Sequence, residues 1–206
     1  MKALLAAPPD TQKGNRDRMI MILLYDTAIR IAELLELKIS SLKLTSVPSI
    51  HIHGKGDKER SVSLTDATVS HLKKYLRQFH PEMLPDQPLF YTKIKGSIAP
   101  MSPGNVSRII NKYADAIRPE YPNLTKHLHC HMFRRTRATG LYRNGVELEM
   151  ISVILGHSST ETTRIYATPS IEMLGEAMNT ANSTIPDETP EWEENEDELA
   201  RICGLR

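Results

Sequence analysis

A histidine and an arginine lie three residues apart in the segment His131-Met132-Phe133-Arg134. Residues at positions i and i+3 share one face of a helix, so both side chains can reach the same ligand. The planar guanidinium group of arginine binds two phosphate oxygens at once, which the ammonium group of lysine cannot do. A His-x-x-Arg pair alone usually belongs to a solvated helix face, so it indicates an anion site only when other suitable residues accompany it in the chain.

Two other segments offer side chains suited to phosphate chemistry. His157 follows Leu155 and Gly156 and precedes Tyr166 by nine residues, and a tyrosine hydroxyl becomes a nucleophile when a base or a cation activates it. Taken singly, His157 could equally well be a helix cap. Tyr166 is as well explained as a core aromatic residue, because the chain contains seven tyrosines.

Two basic residues nearer the amino terminus could also contact an anion. Arg30 lies in an apolar helical context, where an unpaired charge is expensive to bury, and a salt bridge to Glu33 or Glu36 is its simplest structural explanation. Lys55 lies in a glycine-rich turn, Gly54-Lys55-Gly56, where a lysine is ordinarily exposed. This turn lacks the Gly-x4-Gly-Lys-Ser/Thr pattern of a phosphate-binding loop.

The elements that must position these residues are mostly helical. Apolar spacing predicts a helix over residues 14–38, and apolar and polar residues then alternate on both sides of the glycine turn, which predicts a β-hairpin over residues 50–64. Thr65 is a predicted helix N-cap, and Pro88-Leu89-Phe90-Tyr91 is a predicted third strand. Ser102-Pro103 predicts another helix start, and further helices are predicted over 131–143, 147–155 and 170–180.

Composition and charge indicate one large domain with a tail. Residues 1–180 hold 24 basic and 17 acidic residues, whereas residues 181–206 hold eight acidic and two basic residues. A basic body suits a polyanionic partner such as DNA, although this excess of charge alone is weak support. Two cysteines form no disulfide framework and no apolar run is long enough for a membrane span, so we expect a cytoplasmic protein without membrane association.

In chain order, the arginine, lysine, histidine and tyrosine residues closely resemble the active site of the tyrosine recombinase (phage integrase) family, in its Xer-like bacterial form. The matching residues are Arg30, Lys55, His131, Arg134, His157 and Tyr166. Flanking segments resemble the family as well, in 25–37, 155–158 and 162–166, and the resemblance covers about residues 14–178. It implies the family's catalytic-domain fold, mainly α with a small antiparallel β-sheet, over residues 1–180.

The resemblance also implies roles for these residues in site-specific DNA cleavage and rejoining. Tyr166 attacks the scissile phosphate and forms a 3′-phosphotyrosyl intermediate, and Lys55 protonates the departing 5′-oxygen. Two arginines stabilise charge on the phosphate, and Glu33 supports them by orienting a basic residue. His131 is a base or a hydrogen-bond donor, and His157 holds a phosphate oxygen. These roles imply neither a metal ion nor another cofactor, since fixed cations supply the positive charge.

Further implied DNA contacts come from Lys58, Arg60, Arg135 and Arg164. Arg135 replaces a usual histidine, Arg137 replaces a usual apolar residue, and Ala28 stands where glycine is common in the family. For Arg135 and Arg137 we favour solvent or the DNA backbone over base contacts.

The implied partner is double-stranded DNA carrying a specific site, on which we expect a homo-tetramer, and in isolation we expect a monomer. The amino-terminal clamp domain of the family is expected to be absent from this chain. The acidic segment 181–206 is equally well interpreted as a linker with a short helix that docks on a neighbouring protomer or as a disordered tail. Whether the event is integration, transposition or chromosome dimer resolution is left open.

Three other functions are considered. A metal-binding module would use His127, His129, Cys130 and His131, but these residues lack a second ligand pair at zinc-like spacing. A non-catalytic DNA-binding protein of the same fold would not need the intact catalytic set. A type IB topoisomerase uses related chemistry, but the compact motifs resemble recombinases more closely.

Overall fold

A computed structural model describes residues 1–54, 58–94, 96–157, 160–167, 169 and 171–181. Within these residues the helices are α1 (Lys2–Ala6), α2 (Gln12–Asp26), α3 (Ile31–Glu36), α4 (Asp66–Phe79), α5 (Pro103–Ile117), α6 (Cys130–Arg143), α7 (Leu148–Leu155), α8 (Glu161–Arg164) and α9 (Ile171–Ala181). The strands are β1 (Leu42–Lys43), β2 (Ser49–Gly54), β3 (Lys58–Ser63), β4 (Tyr91–Ile94) and β5 (Ser97–Pro100). The prediction of a mainly helical fold with little antiparallel sheet is confirmed.

The predicted hairpin is present as β2 and β3, which pair antiparallel with Ile50 opposite Val62 and Ile52 opposite Arg60. The prediction of a third strand over residues 88–91 is wrong. The short strand β1 completes the three-stranded sheet, while Tyr91 begins β4, which forms a separate hairpin with β5. Pro88 makes only an isolated bridge to Lys38.

The predicted single helix over residues 14–38 is also wrong, because the chain breaks between α2 and α3. Thr27 ends α2 by donating its hydroxyl to the carbonyl of Leu23 at 2.6 Å. Ala28 then adopts a positive φ of 51°, which residues other than glycine rarely adopt. The sequence contains neither glycine nor proline here, so the usual signals of a helix end are missing.

Helix caps confirm the other predicted starts. Thr65 accepts a hydrogen bond from the Thr68 amide at 3.4 Å, and Ser102 accepts one from the Asn105 amide at 3.2 Å, with Pro103 following it. An oxygen side chain at this position satisfies an amide that has no partner within its helix. The helices predicted over 131–143, 147–155 and 170–180 appear as α6, α7 and α9, each displaced by one residue at most at either end.

The described residues fall into two units that divide between residues 168 and 169, and α9 belongs to the second. The first unit contains a large apolar core built from α2, α4, α5 and the inner face of the hairpin. A smaller cluster holds Ala28, Ala138, Ile151, Leu155 and Tyr166. Among the described residues no helix combines the length and the apolar character needed to span a bilayer. The predicted helix around Trp192 lies outside the described residues.

Candidate active site

Arg134 lies at the centre of the site, on the buried side of α6, with only 1% of its surface exposed. Its terminal nitrogens donate to the carbonyl of Ala28 at 2.7 Å and to the carbonyl of Leu155 at 2.6 Å. Its Nε is buried and has no hydrogen-bond partner among the described residues. Arg134 therefore connects the turn before Arg30 with the turn before His157.

The charge of Arg134 is not matched by a hydrogen-bonded carboxylate among the described residues. Burial, and then repulsion from Arg30, lower the pKa of Arg134 to about 10, so its guanidinium is still charged at neutral pH. A buried cation whose hydrogen bonds go to neutral carbonyls is costly unless an anion approaches it.

A carboxylate holds the second arginine of the predicted pair. The Nη1 of Arg30 donates to Glu33 at 3.0 Å, and the backbone amide of Arg30 donates to the same carboxylate at 2.8 Å. Glu33 thereby caps α3 and orients a side chain that is 43% exposed. One terminal nitrogen of the Arg30 guanidinium is thus held by Glu33, while 43% of the side chain stays exposed to solvent.

Arg60 binds the other side of the Glu33 carboxylate, with two hydrogen bonds of 3.0 and 2.8 Å. Burial opposes ionisation of Glu33, but the hydrogen bonds from Arg60 and Arg30 outweigh it and hold the pKa of this carboxyl below its usual value. The side chain of Arg60 is only 13% exposed. We predicted Arg60 as a DNA contact, whereas the structure gives it a protein carboxylate as partner.

Gly156 shows why the Leu-Gly-His motif needs a glycine at its centre. Its φ of +62° is left-handed, and a Cβ at this position would lie 2.8 Å from the Cζ of Arg60. Such a distance is far inside van der Waals contact, and the φ value disfavours an L side chain as well. The glycine therefore lets the turn before His157 pass directly over the Arg60–Glu33 pair.

His157 and Tyr166 face each other after this turn. Their rings stack with centroids 6.4 Å apart and an interplanar angle of 23°, and the Nδ1 of His157 lies 2.8 Å from the Oγ1 of Thr163. Burial, followed by the charges of Arg134 and Arg30, lowers the pKa of His157 to about 4. His157 is therefore neutral at physiological pH. Tyr166 is 4% exposed, within the smaller apolar cluster.

His131 lies in the first turn of α6, the helix that carries Arg134, and its side chain is partly exposed. Burial of its ring lowers its pKa, and the charges of Arg134, Arg30 and Arg135 lower it further. Both histidines thus lie in the electrostatic field of both arginines. Five of the six predicted catalytic residues come together in one site, with Arg134 at its centre. The other four are Arg30, His131, His157 and Tyr166.

The remaining predicted residues are placed as follows. Lys55 lies outside the described residues, and so does the side chain of Lys58, whose backbone begins β3. Arg135 and Arg164 are exposed. In the predicted zinc-binding alternative, no three of the residues His127, His129, Cys130 and His131 bring their ligand atoms within 4.8 Å of one another.

Several residues that hold the site together were not predicted. Asp26 pairs with Arg137 at 3.1 Å and accepts hydrogen bonds from the amide and hydroxyl of Thr65 at 3.1 and 3.0 Å. It thus ties the end of α2 to α6 and to the start of α4. Thr163, which holds His157, lies within one of the family-like segments, but no role was predicted for it. Arg137, for which we expected solvent or the DNA backbone as its contact, binds the side chain and the carbonyl of Asp26 instead.

Comparison with known proteins identifies the fold. The sequence profile of the phage integrase family matches residues 1–173. The chain belongs to this family. A tyrosine recombinase from Agathobacter rectalis is 40% identical over 164 residues, which are 78% of this chain and 51% of that protein. The fold is that of a tyrosine recombinase catalytic domain.

Two solved structures of this family resemble the chain closely. The XerA recombinase matches with a TM-score of 0.70 and 29% identity over 87% of this chain and 60% of XerA. The XerH site-specific recombinase bound to its difH substrate matches with a TM-score of 0.68 and 26% identity over 91% of this chain and 52% of XerH. The chain spans about half the length of the curated relatives that it matches.

Proposed function

We propose that this chain is the catalytic part of a site-specific recombinase that breaks and rejoins DNA through a covalent bond between Tyr166 and a 3′-phosphate. The observation that carries this proposal is the buried guanidinium of Arg134, whose hydrogen bonds go only to neutral carbonyls among the described residues. A phosphate diester supplies the missing negative charge, and Arg30, whose side chain is 43% exposed, lies in the same electrostatic field.

The proposed cleavage step exchanges one phosphate ester for another. The hydroxyl oxygen of Tyr166 attacks phosphorus, the bond from phosphorus to the 5′-oxygen breaks, and the 5′-oxygen leaves as a hydroxyl with a proton from Lys55. His131 takes the proton of Tyr166. The lowered pKa of His131 supports this role, because an imidazole must be neutral to accept a proton. Rejoining is the reverse reaction with the 5′-hydroxyl of another strand.

The two arginines and His157 would stabilise the transition state of this step. Attack at phosphorus concentrates negative charge on the non-bridging oxygens, and donors aimed there bind the transition state more tightly than the substrate. His157, neutral with its Nδ1 against Thr163, would offer its other ring nitrogen to one of those oxygens. Because Tyr166 is 4% exposed, the proposal requires its hydroxyl to turn outward when DNA binds.

Double-stranded DNA with a specific site is the proposed partner, and the similarity to XerH, a site-specific recombinase bound to its difH substrate, supports this choice. Exposed Arg135 and Arg164 are proposed phosphate contacts, together with Lys58. The relatives named above are recombinases, which favours recombination over relaxation of supercoils by a topoisomerase. A homo-tetramer on DNA and a cytoplasmic location stay predictions.

Trapping of the covalent intermediate tests the proposal. The chain is incubated at low salt with a pool of nicked duplexes of randomised sequence, so that the recombination site need not be known beforehand. Cleavage beside the nick releases a short fragment and prevents rejoining. We expect a protein–DNA adduct that survives denaturation, and sequencing of the trapped DNA should reveal a preferred site.

Substitution of single tyrosines assigns the bond. Tyr166→Phe should abolish the adduct and leave DNA binding intact, because it removes only the hydroxyl. Tyr142→Phe is the matched control, since Tyr142 packs against the same apolar cluster, and it should keep the adduct. An adduct that persists in Tyr166→Phe would refute the proposal.

A further inference from the structure

The outward face of the β2–β3 hairpin carries three side chains that the proposed reaction does not use. His51 and His53 project from the same side of β2, opposite the buried Ile50 and Ile52. Glu59 is the cross-strand partner of His53 in β3. Because side chains alternate along a strand, all three lie on one face, and each is 43% to 64% exposed.

Their ligand atoms already converge. One carboxylate oxygen of Glu59 lies 3.3 Å from the Nε2 of His51, and the other lies 3.1 Å from the Nδ1 of His53. All three ligand groups lie within 4.8 Å of one another. In a tetrahedral zinc site with bonds of about 2 Å, ligand atoms are about 3.3 Å apart. Each of the two histidine-to-carboxylate distances matches this spacing, but they run to different oxygens of Glu59, so one of these oxygens would turn to face both imidazoles when an ion binds.

A fourth side chain orients the first ligand. The Nδ1 of His51 lies 3.4 Å from the Oγ of Ser61, its partner across the ladder. When Nδ1 donates its proton to that hydroxyl, Nε2 carries the free lone pair and faces the site. Metal-binding histidines are commonly fixed in this way through their second ring nitrogen.

We propose that His51, His53 and Glu59 form a site for a divalent transition-metal ion of the zinc class. Two imidazoles with one carboxylate suit zinc better than magnesium or calcium, which prefer ligand sets composed of oxygen. Water or another ligand would fill the remaining coordination position. The ion would cross-link β2 to β3 and would hold the two strands together. It would take no part in the phosphoryl chemistry, for which the arginines supply the charge.

Titration of the untagged, full chain with zinc chloride by calorimetry tests this site. We expect saturable binding of one equivalent. His53→Ala and Glu59→Gln should each weaken it at least about tenfold, and Ser61→Ala should weaken it about tenfold by releasing the ring of His51. Glu59→Gln is nearly isosteric, so its effect separates loss of a ligand from loss of the fold.

A double variant, His127→Ala with His129→Ala, is the control for adventitious binding to exposed imidazoles, and it should bind zinc as the unchanged chain does. Hydrogen exchange gives a second measurement: zinc should slow exchange of the β2–β3 ladder amides in the unchanged chain but not in Glu59→Gln. Absence of saturable binding would show that the cluster is an ion pair alone. Binding that survives His53→Ala, or that the control variant loses, would equally overturn the proposal.

Discussion

At the scale of single residues, the environment of Arg134 is the feature that folding alone explains least. A core position filled by an apolar residue of similar size would avoid the cost of burying a guanidinium. Instead, the charge is kept at 1% exposure and its terminal nitrogens are bound by two carbonyls from separate turns. The motif predicts a phosphate contact for Arg134, but it could not predict that Arg134 also joins these two turns.

Arg30 permits a cleaner test of transition-state stabilisation than Arg134, because its side chain is 43% exposed and its removal opens no cavity in the core. Arg30→Ala should lower the single-turnover cleavage rate at saturating DNA by about 10² to 10³, the usual cost of losing one such donor. Arg135→Ala is the control, and it should weaken DNA binding but keep the rate. An unchanged rate in Arg30→Ala would exclude its proposed role.

His157 should titrate far below an ordinary histidine. Burial and the two arginines lower its pKa to about 4, against about 6.5 for an unfolded chain. The unfolded chain binds the additional proton between these values, so this group's contribution to stability is complete above pH 6.5 and is lost as the pH falls towards 4.

NMR titration of the His157 ring protons measures this shift directly. We expect a midpoint near pH 4 in the free protein and a higher midpoint once a bound DNA phosphate offsets the charge of the arginines. A midpoint near 6.5 in the free, folded chain would contradict the arrangement described here.

At the scale of secondary-structure elements, three segments position the site. The α2–α3 turn supplies Arg30 and the carbonyl of Ala28, strand β3 supplies Arg60, and the turn after α7 supplies His157. The bond between Glu33 and Arg60 joins α3 to β3, and Gly156 permits the turn after α7 to pass over this pair.

Gly156→Ala tests how closely these turns approach. The added methyl group meets the Arg60 guanidinium at 2.8 Å and adopts a left-handed φ, so we expect the free energy of unfolding to fall by about 1 to 3 kcal/mol. Gly140→Ala is the matched control within a helix, where a Cβ meets nothing within 4 Å, and it should raise stability by about 0.5 to 1 kcal/mol. Denaturant unfolding measures both, and equal effects would contradict the close approach.

Arg60 illustrates which contacts between secondary-structure elements the sequence could predict. The alternation that places Val62 towards the core also places Arg60 on the same inner face, opposite Ile52, so the strand pattern itself favours a partner for Arg60 within the protein. The break at Ala28, whose φ is 51°, has a weaker signal: the family resemblance places this alanine where glycine is common, and glycine adopts a positive φ readily. Caps and helix faces were predictable because they depend on local chemistry alone.

At the scale of the whole molecule, charge is unevenly distributed along the chain. The basic excess lies in residues 1–180, whereas residues 181–206 carry an acidic excess, with eight acidic residues against two basic ones. Motif order predicted the fold class and the family, because widely separated side chains in fixed order are a far more specific signal than composition. Composition could not predict which basic residues are free to meet DNA and which are bound within the protein, as Arg60 is.

DNA affinity should depend steeply on salt. If about six phosphates are neutralised, the logarithm of the binding constant should fall with the logarithm of salt concentration with a slope of about −5. Arg135→Ala should reduce the magnitude of that slope by about 1. Arg118→Ala should leave it unchanged, since that guanidinium already binds Asp115 and the carbonyls of Leu124, Thr125 and Lys126. A slope near zero would exclude phosphate contacts as the basis of binding.

The covalent linkage itself is the most direct test of the central claim. The trapped adduct is digested with protease and nuclease, and mass spectrometry then locates the residual nucleotide on a peptide. The account predicts a single modified residue, Tyr166, joined through its phenolic oxygen to a 3′-phosphate, with a free 5′-hydroxyl on the released strand. A nucleotide on any other residue, or a 5′-phosphate linkage to Tyr166, would contradict it.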